Sequence, residues 1–146
     1  MEEIHTSRTL ENLRMLFSRD SETLLRYRCF SVMSRNEGAD AVADLFERLA
    51  EGQLQLAEGH LDLLRDVGDP FSGLPLRQNR EILHAAIVSE KHELGDLLPA
   101  VASMADTEGL ASVASWVRSV SHLKALNVER LEALLHAAAN RTEAEG

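Results

Sequence analysis

A chain of 146 residues with 45% apolar side chains is long enough to bury a core without disulfides, and too apolar to be disordered over most of its length. Its 15 basic and 24 acidic residues leave a formal charge of −9, which weighs against binding to a nucleic-acid backbone or an anionic membrane surface. Aromatic residues are 4% while Ala and Leu abound, a bias towards helix over strand. Cys29 is the single cysteine, so neither an intrachain disulfide nor a thiolate metal site can form. With no 18-residue apolar run and no apolar segment behind Met1, the expectation is a cytoplasmic protein with no membrane span.

Apolar residues recur at helical spacing in four segments, at about 8–35, 40–65, 78–105 and 110–138. The first carries Leu10, Leu13, Phe17, Leu24 and Tyr27, and Asn36-Glu37-Gly38 ends it. The second carries Val42, Leu45, Phe46, Leu49, Leu56, Leu63 and Leu64. Between Asp66 and Pro75, two prolines and two glycines exclude regular structure, and the stretch is long enough for a crossover connection. The third segment carries Leu83, Ala86, Ile87, Leu94, Leu97, Val101 and Met104, and Pro99 predicts a kink or local irregularity within it. After Thr107-Glu108-Gly109 the fourth carries Val113, Val117, Val120, Leu131, Leu134 and Leu135, with a frayed tail expected from Arg141. The Glu-Gly breaks at Gly38 and Gly109 lie 109 − 38 = 71 residues apart, as do Leu63-Leu64 and Leu134-Leu135. The pattern predicts one all-α domain over 1–146: two duplicated helical hairpins in an antiparallel four-helix bundle.

Polar residues interrupt these stripes near the middle of each helix. They are Asp20 on the first, Gln53 on the second, Glu90 with Glu93 on the third, and Lys124 with Asn127 on the fourth. Buried charges are costly unless they are paired or bound to metal, so coincident interruptions predict a polar cluster rather than four unrelated solvated positions.

The stretch Ser18-Arg19-Asp20-Ser21, followed by Arg26-Tyr27 and Phe30, resembles the Gly-Glu-Ser…Arg-Tyr pattern of the rubrerythrins, ferritin-like proteins with a carboxylate-bridged di-iron site. Ala85-Ala86-Ile87-Val88-Ser89-Glu90-Lys91-His92-Glu93 is similar to that family's Ala-Ala-Ile-x-x-Glu-x-x-Glu motif. The resemblance covers roughly Leu10 to Leu135 and implies that Asp20, Glu90 and Glu93 occupy residual metal-ligand positions. Where the family carries Glu-x-x-His on its second and fourth helices, this chain has Gln53 and Leu56, then Lys124 and Asn127. No rubredoxin-type cysteine motif is present.

The substitutions are physically coherent. Metal cations neutralise a nest of carboxylates, and without them like charges repel. Lys124 replaces part of the lost charge and opposes cation entry, while Leu56 fills space. The expected protein therefore has no catalytic residues and no cofactor, or holds Fe or Mn only weakly. It serves as an accessory or interaction protein with an unidentified protein partner. The alternative is a rubrerythrin-type oxidoreductase acting on peroxide or oxygen, with Gln53 as a neutral oxygen ligand; iron storage is a third, weaker reading.

Further residues have plain readings beside functional ones. His60, four after Leu56, is either a displaced ligand or a hydrogen-bonded histidine at the core edge. His92 and His122 point off the ligand face, and His5, His84 and His136 pair with no candidate ligand. Tyr27 either bonds a remaining carboxylate or is a core aromatic. Gly52 and Gly59 are seven apart on one face, which invites close approach by a partner chain in a homodimer. Trp116 belongs to such an interface or to the bundle edge.

Overall fold

The structure, a computed structural model, describes residues 8–145, with side chains as far as Arg141; His5 lies outside them. All regular structure among the described residues is helical: α1 (Arg8–Asn36), α2 (Asp40–Leu64), α3 (Asn79–His92), a π-helical segment (Glu93–Leu97), α4 (Leu98–Thr107) and α5 (Ala111–Glu145). The chain divides into two compact units, residues 1–70 and 71–146.

In the first unit α1 and α2 form an antiparallel hairpin. Its turn follows from Gly38, whose φ of 83° few side-chain-bearing residues adopt. The Ala39 amide donates back to the Ser34 carbonyl at 2.9 Å and the Gly38 amide to the Arg35 carbonyl at 3.0 Å, closing a Schellman turn. Beside the turn, the Ser31 hydroxyl donates to the Ala43 carbonyl at 3.0 Å, and Arg35 donates to both Asp44 and Glu47 at 3.0 Å. Hydrogen bonds to Asp44 and Glu47 are the largest influence on the Arg35 guanidinium and raise its pKa further.

The seam between the two helices rests on a seven-residue repeat in α2. Ala43, Ala50, Ala57 and Leu64 are all buried, and small side chains let the helix axes draw close. Tyr27, Phe30 and Phe46 fill the wider space, with ring centroids 5.5 to 6.4 Å apart. Tyr27 thus takes its plain reading as a core aromatic.

The leucine stripe of α2 behaves differently from the sequence expectation. Val42, Leu45, Leu49, Leu56 and Leu63 remain between 43% and 57% exposed. Val42, Leu49, Leu56 and Leu63 each directly precede a member of the buried series, and one residue turns an α-helix by about 100°. The hairpin buries its alanine face and leaves the neighbouring leucine face open.

The second unit repeats the device. Gly109, at φ 75°, turns the chain, and the Leu110 amide donates to the Ala105 carbonyl at 2.8 Å. Ala85, Ile87, Ala102, Ala105, Ala114, Val117 and Val128 are buried. The irregularity that Pro99 announces is the π-helical segment, in which the Leu98 amide bonds to the Glu93 carbonyl five residues back. Pro99 has no amide hydrogen for an α-helical bond to Gly95, and the wider turn just before it absorbs the mismatch. α5 runs to Glu145, beyond the helix boundary near 138 expected from the sequence. Ala, Arg and Glu favour helix, and no Gly or Pro intervenes before Gly146.

Candidate functional site

The third-helix motif and the fourth-helix interruption meet inside the second unit. Glu90 lies near the end of α3, Glu93 opens the π-helical segment, and Lys124 lies midway along α5. The Lys124 ammonium is 3.2 Å from both oxygens of Glu90 and 2.9 Å from Oε2 of Glu93. All three side chains are a quarter to a third exposed. One cation thus bridges two carboxylates in partly screened surroundings.

Burial disfavours the ammonium and pulls its pKa down. Hydrogen bonds to Glu93 and Glu90, together with their charges, outweigh that effect and leave the Lys124 pKa raised above its ordinary value of 10.5. Lys124 therefore remains a fixed positive charge at neutral pH. Asn127, the other substituted position on this helix, lines a surface groove of about 340 Å³ with Glu90, Ala86, Ser89, Arg130 and Leu131. Ser89 turns its hydroxyl back to the Ala85 and Ala86 carbonyls, which leaves Glu90 as the groove's carboxylate.

In the first unit, Asp20 meets a residue outside the expected ligand set. Its Oδ2 lies 2.8 Å from Nε2 of His60, with the side chains 25% and 19% exposed. His60, one turn beyond Leu56, is thus hydrogen-bonded and part-buried. Gln53 Oε1 is shut off from solvent and has no hydrogen-bond donor among the described residues. Leu56, expected to fill space in the core, is 49% exposed for the rotational reason given above.

Of the remaining candidates, His92 is exposed and pairs with Asp96 at 3.2 Å, as its position off the ligand face requires. Cys29 and Trp116 are exposed. Arg118 pairs with Asp106 on the surface.

Paired long helices carrying a Glu-x-x-Glu carboxylate pair define the chain as an all-α protein of the ferritin-like class. No family model matches it, but whole-chain comparison finds relatives. It is 29% identical over 136 residues to rubrerythrin of Porphyromonas gingivalis, covering 90% of this chain and 68% of that protein. It is 27% identical over 143 residues to rubrerythrin-1 of Clostridium acetobutylicum, covering 92% and 73%. A rubrerythrin of Clostridium perfringens is 27% identical over 138 residues, covering 89% and 71%. Along most of its length the chain is thus similar to rubrerythrins. No helix among the described residues is long and apolar enough to cross a membrane.

Proposed function

We propose that this chain is a rubrerythrin relative in which an internal ion pair stands in for the di-iron centre, and that it works as a non-catalytic accessory or interaction protein. One observation carries the reading: the Lys124 ammonium occupies the space between Glu90 and Glu93. A cation entering there must displace a hydrogen-bonded ammonium and then meet its charge at a few ångströms. The residues present do not fit a pair of iron ions. Gln53, Leu56, Lys124 and Asn127 together offer neutral oxygens, a methyl-ended side chain and a positive charge, where the resemblance expects two Glu-x-x-His pairs. Asp20 is hydrogen-bonded to His60. A homodimer, a cytoplasmic setting and a further protein partner belong to the same reading.

A second reading rests on the Asp20–His60 contact, which retains one carboxylate and one imidazole at 2.8 Å. In that case the protein is an oxidoreductase acting on peroxide or oxygen, with Fe or Mn held weakly by oxygen and imidazole donors. A peroxide-consumption assay with an artificial reductant separates the two. The accessory reading expects no turnover above the protein-free rate after Fe²⁺ or Mn²⁺ is supplied. Turnover that disappears in Glu90→Ala and His60→Ala would establish the oxidoreductase instead.

A further inference from the structure

The groove beside the Lys124 ion pair is lined by Ala86, Ser89 and Glu90 of α3 and by Asn127, Arg130 and Leu131 of α5. All of these belong to the second unit, so the groove needs no contribution from the first. Its polar groups differ in whether they are already engaged. Both oxygens of Glu90 accept from the Lys124 ammonium at 3.2 Å, and the Ser89 hydroxyl donates to carbonyls of its own helix. The Asn127 carboxamide and the Arg130 guanidinium have no hydrogen-bond or ion-pair partner among the described residues. They stand three apart on α5 and therefore on one face of it. The groups left free in the groove are thus a neutral donor and a cationic one.

We propose that this groove binds a short-chain aliphatic monocarboxylate, its carboxylate held by Arg130 and Asn127 and its hydrocarbon end laid against Ala86 and Leu131. A planar guanidinium matches a carboxylate with two parallel N–H···O bonds, and the Asn127 amide supplies a donor for a remaining lone pair. Charge favours a monoanion. Lys124 already answers Glu90, which leaves Arg130 as the groove's one uncompensated charge. A dianion such as phosphate would bring a second negative charge close to the Glu90 carboxylate. Size limits the chain length, because a volume of about 340 Å³ lies at the lower end of the range for small-molecule sites.

The proposal rests on the ion-pair reading of Lys124, since without that ammonium Glu90 would present an unanswered carboxylate to the incoming anion. It adds a small ligand to the accessory role. The two ideas fail separately. Metal analysis reads the ion pair, whereas carboxylate binding reads the groove, and a metal-free protein that ignores carboxylates would sink this proposal alone.

The probe is sodium butyrate, titrated into the full isotope-labelled chain at constant ionic strength and followed by amide chemical shifts. Saturable shifts on α3 and α5 are expected, with a Kd on the order of 1 mM for a ligand of this size. Acetate, two methylenes shorter, should bind about tenfold more weakly, and so should inorganic phosphate. Arg130→Gln should weaken butyrate binding by about tenfold or more, and Asn127→Ala by about fivefold. Arg130→Lys keeps the charge without the planar fork and should fall between wild type and Arg130→Gln. Far-UV circular dichroism checks that each variant folds. The absence of saturable shifts with butyrate would overturn the proposal. So would Arg130→Gln protein that binds butyrate as wild type does, or phosphate that binds as tightly as butyrate.

Discussion

Lys124→Glu is expected to convert a site that repels cations into one that binds them. The wild-type ammonium touches three carboxylate oxygens, two on Glu90 and one on Glu93. The substitution removes a positive charge and leaves three carboxylates where one ammonium had bridged two. Without metal, the variant should lose about 2 kcal/mol of stability, below the range for fully buried pairs because these groups are partly exposed. Mn²⁺ or Fe²⁺ should restore that stability, and apparent affinity should rise at least ~100-fold over wild type, equivalent to about 2.7 kcal/mol. Lys124→Met is the control: it removes the charge, adds no donor, and should fall between the two. Thermal unfolding with and without Mn²⁺, combined with metal analysis after desalting, gives both quantities. Equal metal content in wild type and Lys124→Glu would mean that Lys124 does not guard the carboxylates.

The second large effect belongs to the hairpin seam. Leu64 is fully buried at the end of α2, the last member of the series that begins at Ala43. Leu64→Ala removes three heavy atoms from a closed environment and should cost about 3 kcal/mol, the transfer loss plus the cavity left behind. Leu25→Ala, on the exposed side of α1 where the side chain is 64% accessible, should change stability by less than about 0.5 kcal/mol. Urea unfolding of the two variants beside wild type measures the difference. Similar losses for both would show that the alanine face is not the hairpin's main source of stability.

Much of this architecture can be read from the order of residues, because helix signals are local. Glycine at 38 and 109 marks positions that need positive φ, so both turns and the 71-residue repeat are visible directly. The meeting of Glu90, Glu93 and Lys124 is foreseeable because each interrupts an apolar stripe near mid-helix. Other features turn on a rotation of one residue. Leu63 and Leu64 look equivalent in sequence, yet one is 57% exposed and the other is fully buried. Periodicity identifies an apolar sector about two residues wide and does not say which edge the partner helix takes. The alanine repeat at 43, 50 and 57 was the available signal, hidden because alanine scores as a weak hydrophobe. The Asp20–His60 contact was obscured by the Glu-x-x-His spacing, which directs attention to Leu56 rather than to the turn beyond it. Pro99 signalled an irregularity, but its π-helical form depends on the hydrogen-bonding of the preceding turn.

The central claim is that an ammonium has taken the place of metal between Glu90 and Glu93. Elemental analysis tests it most directly, applied to the purified protein and again after anaerobic incubation with Fe²⁺ and Mn²⁺ followed by desalting. The account predicts near-zero iron and manganese per chain in both samples. One or two tightly held ions per chain would contradict it and return the protein to the metal-dependent oxidoreductases.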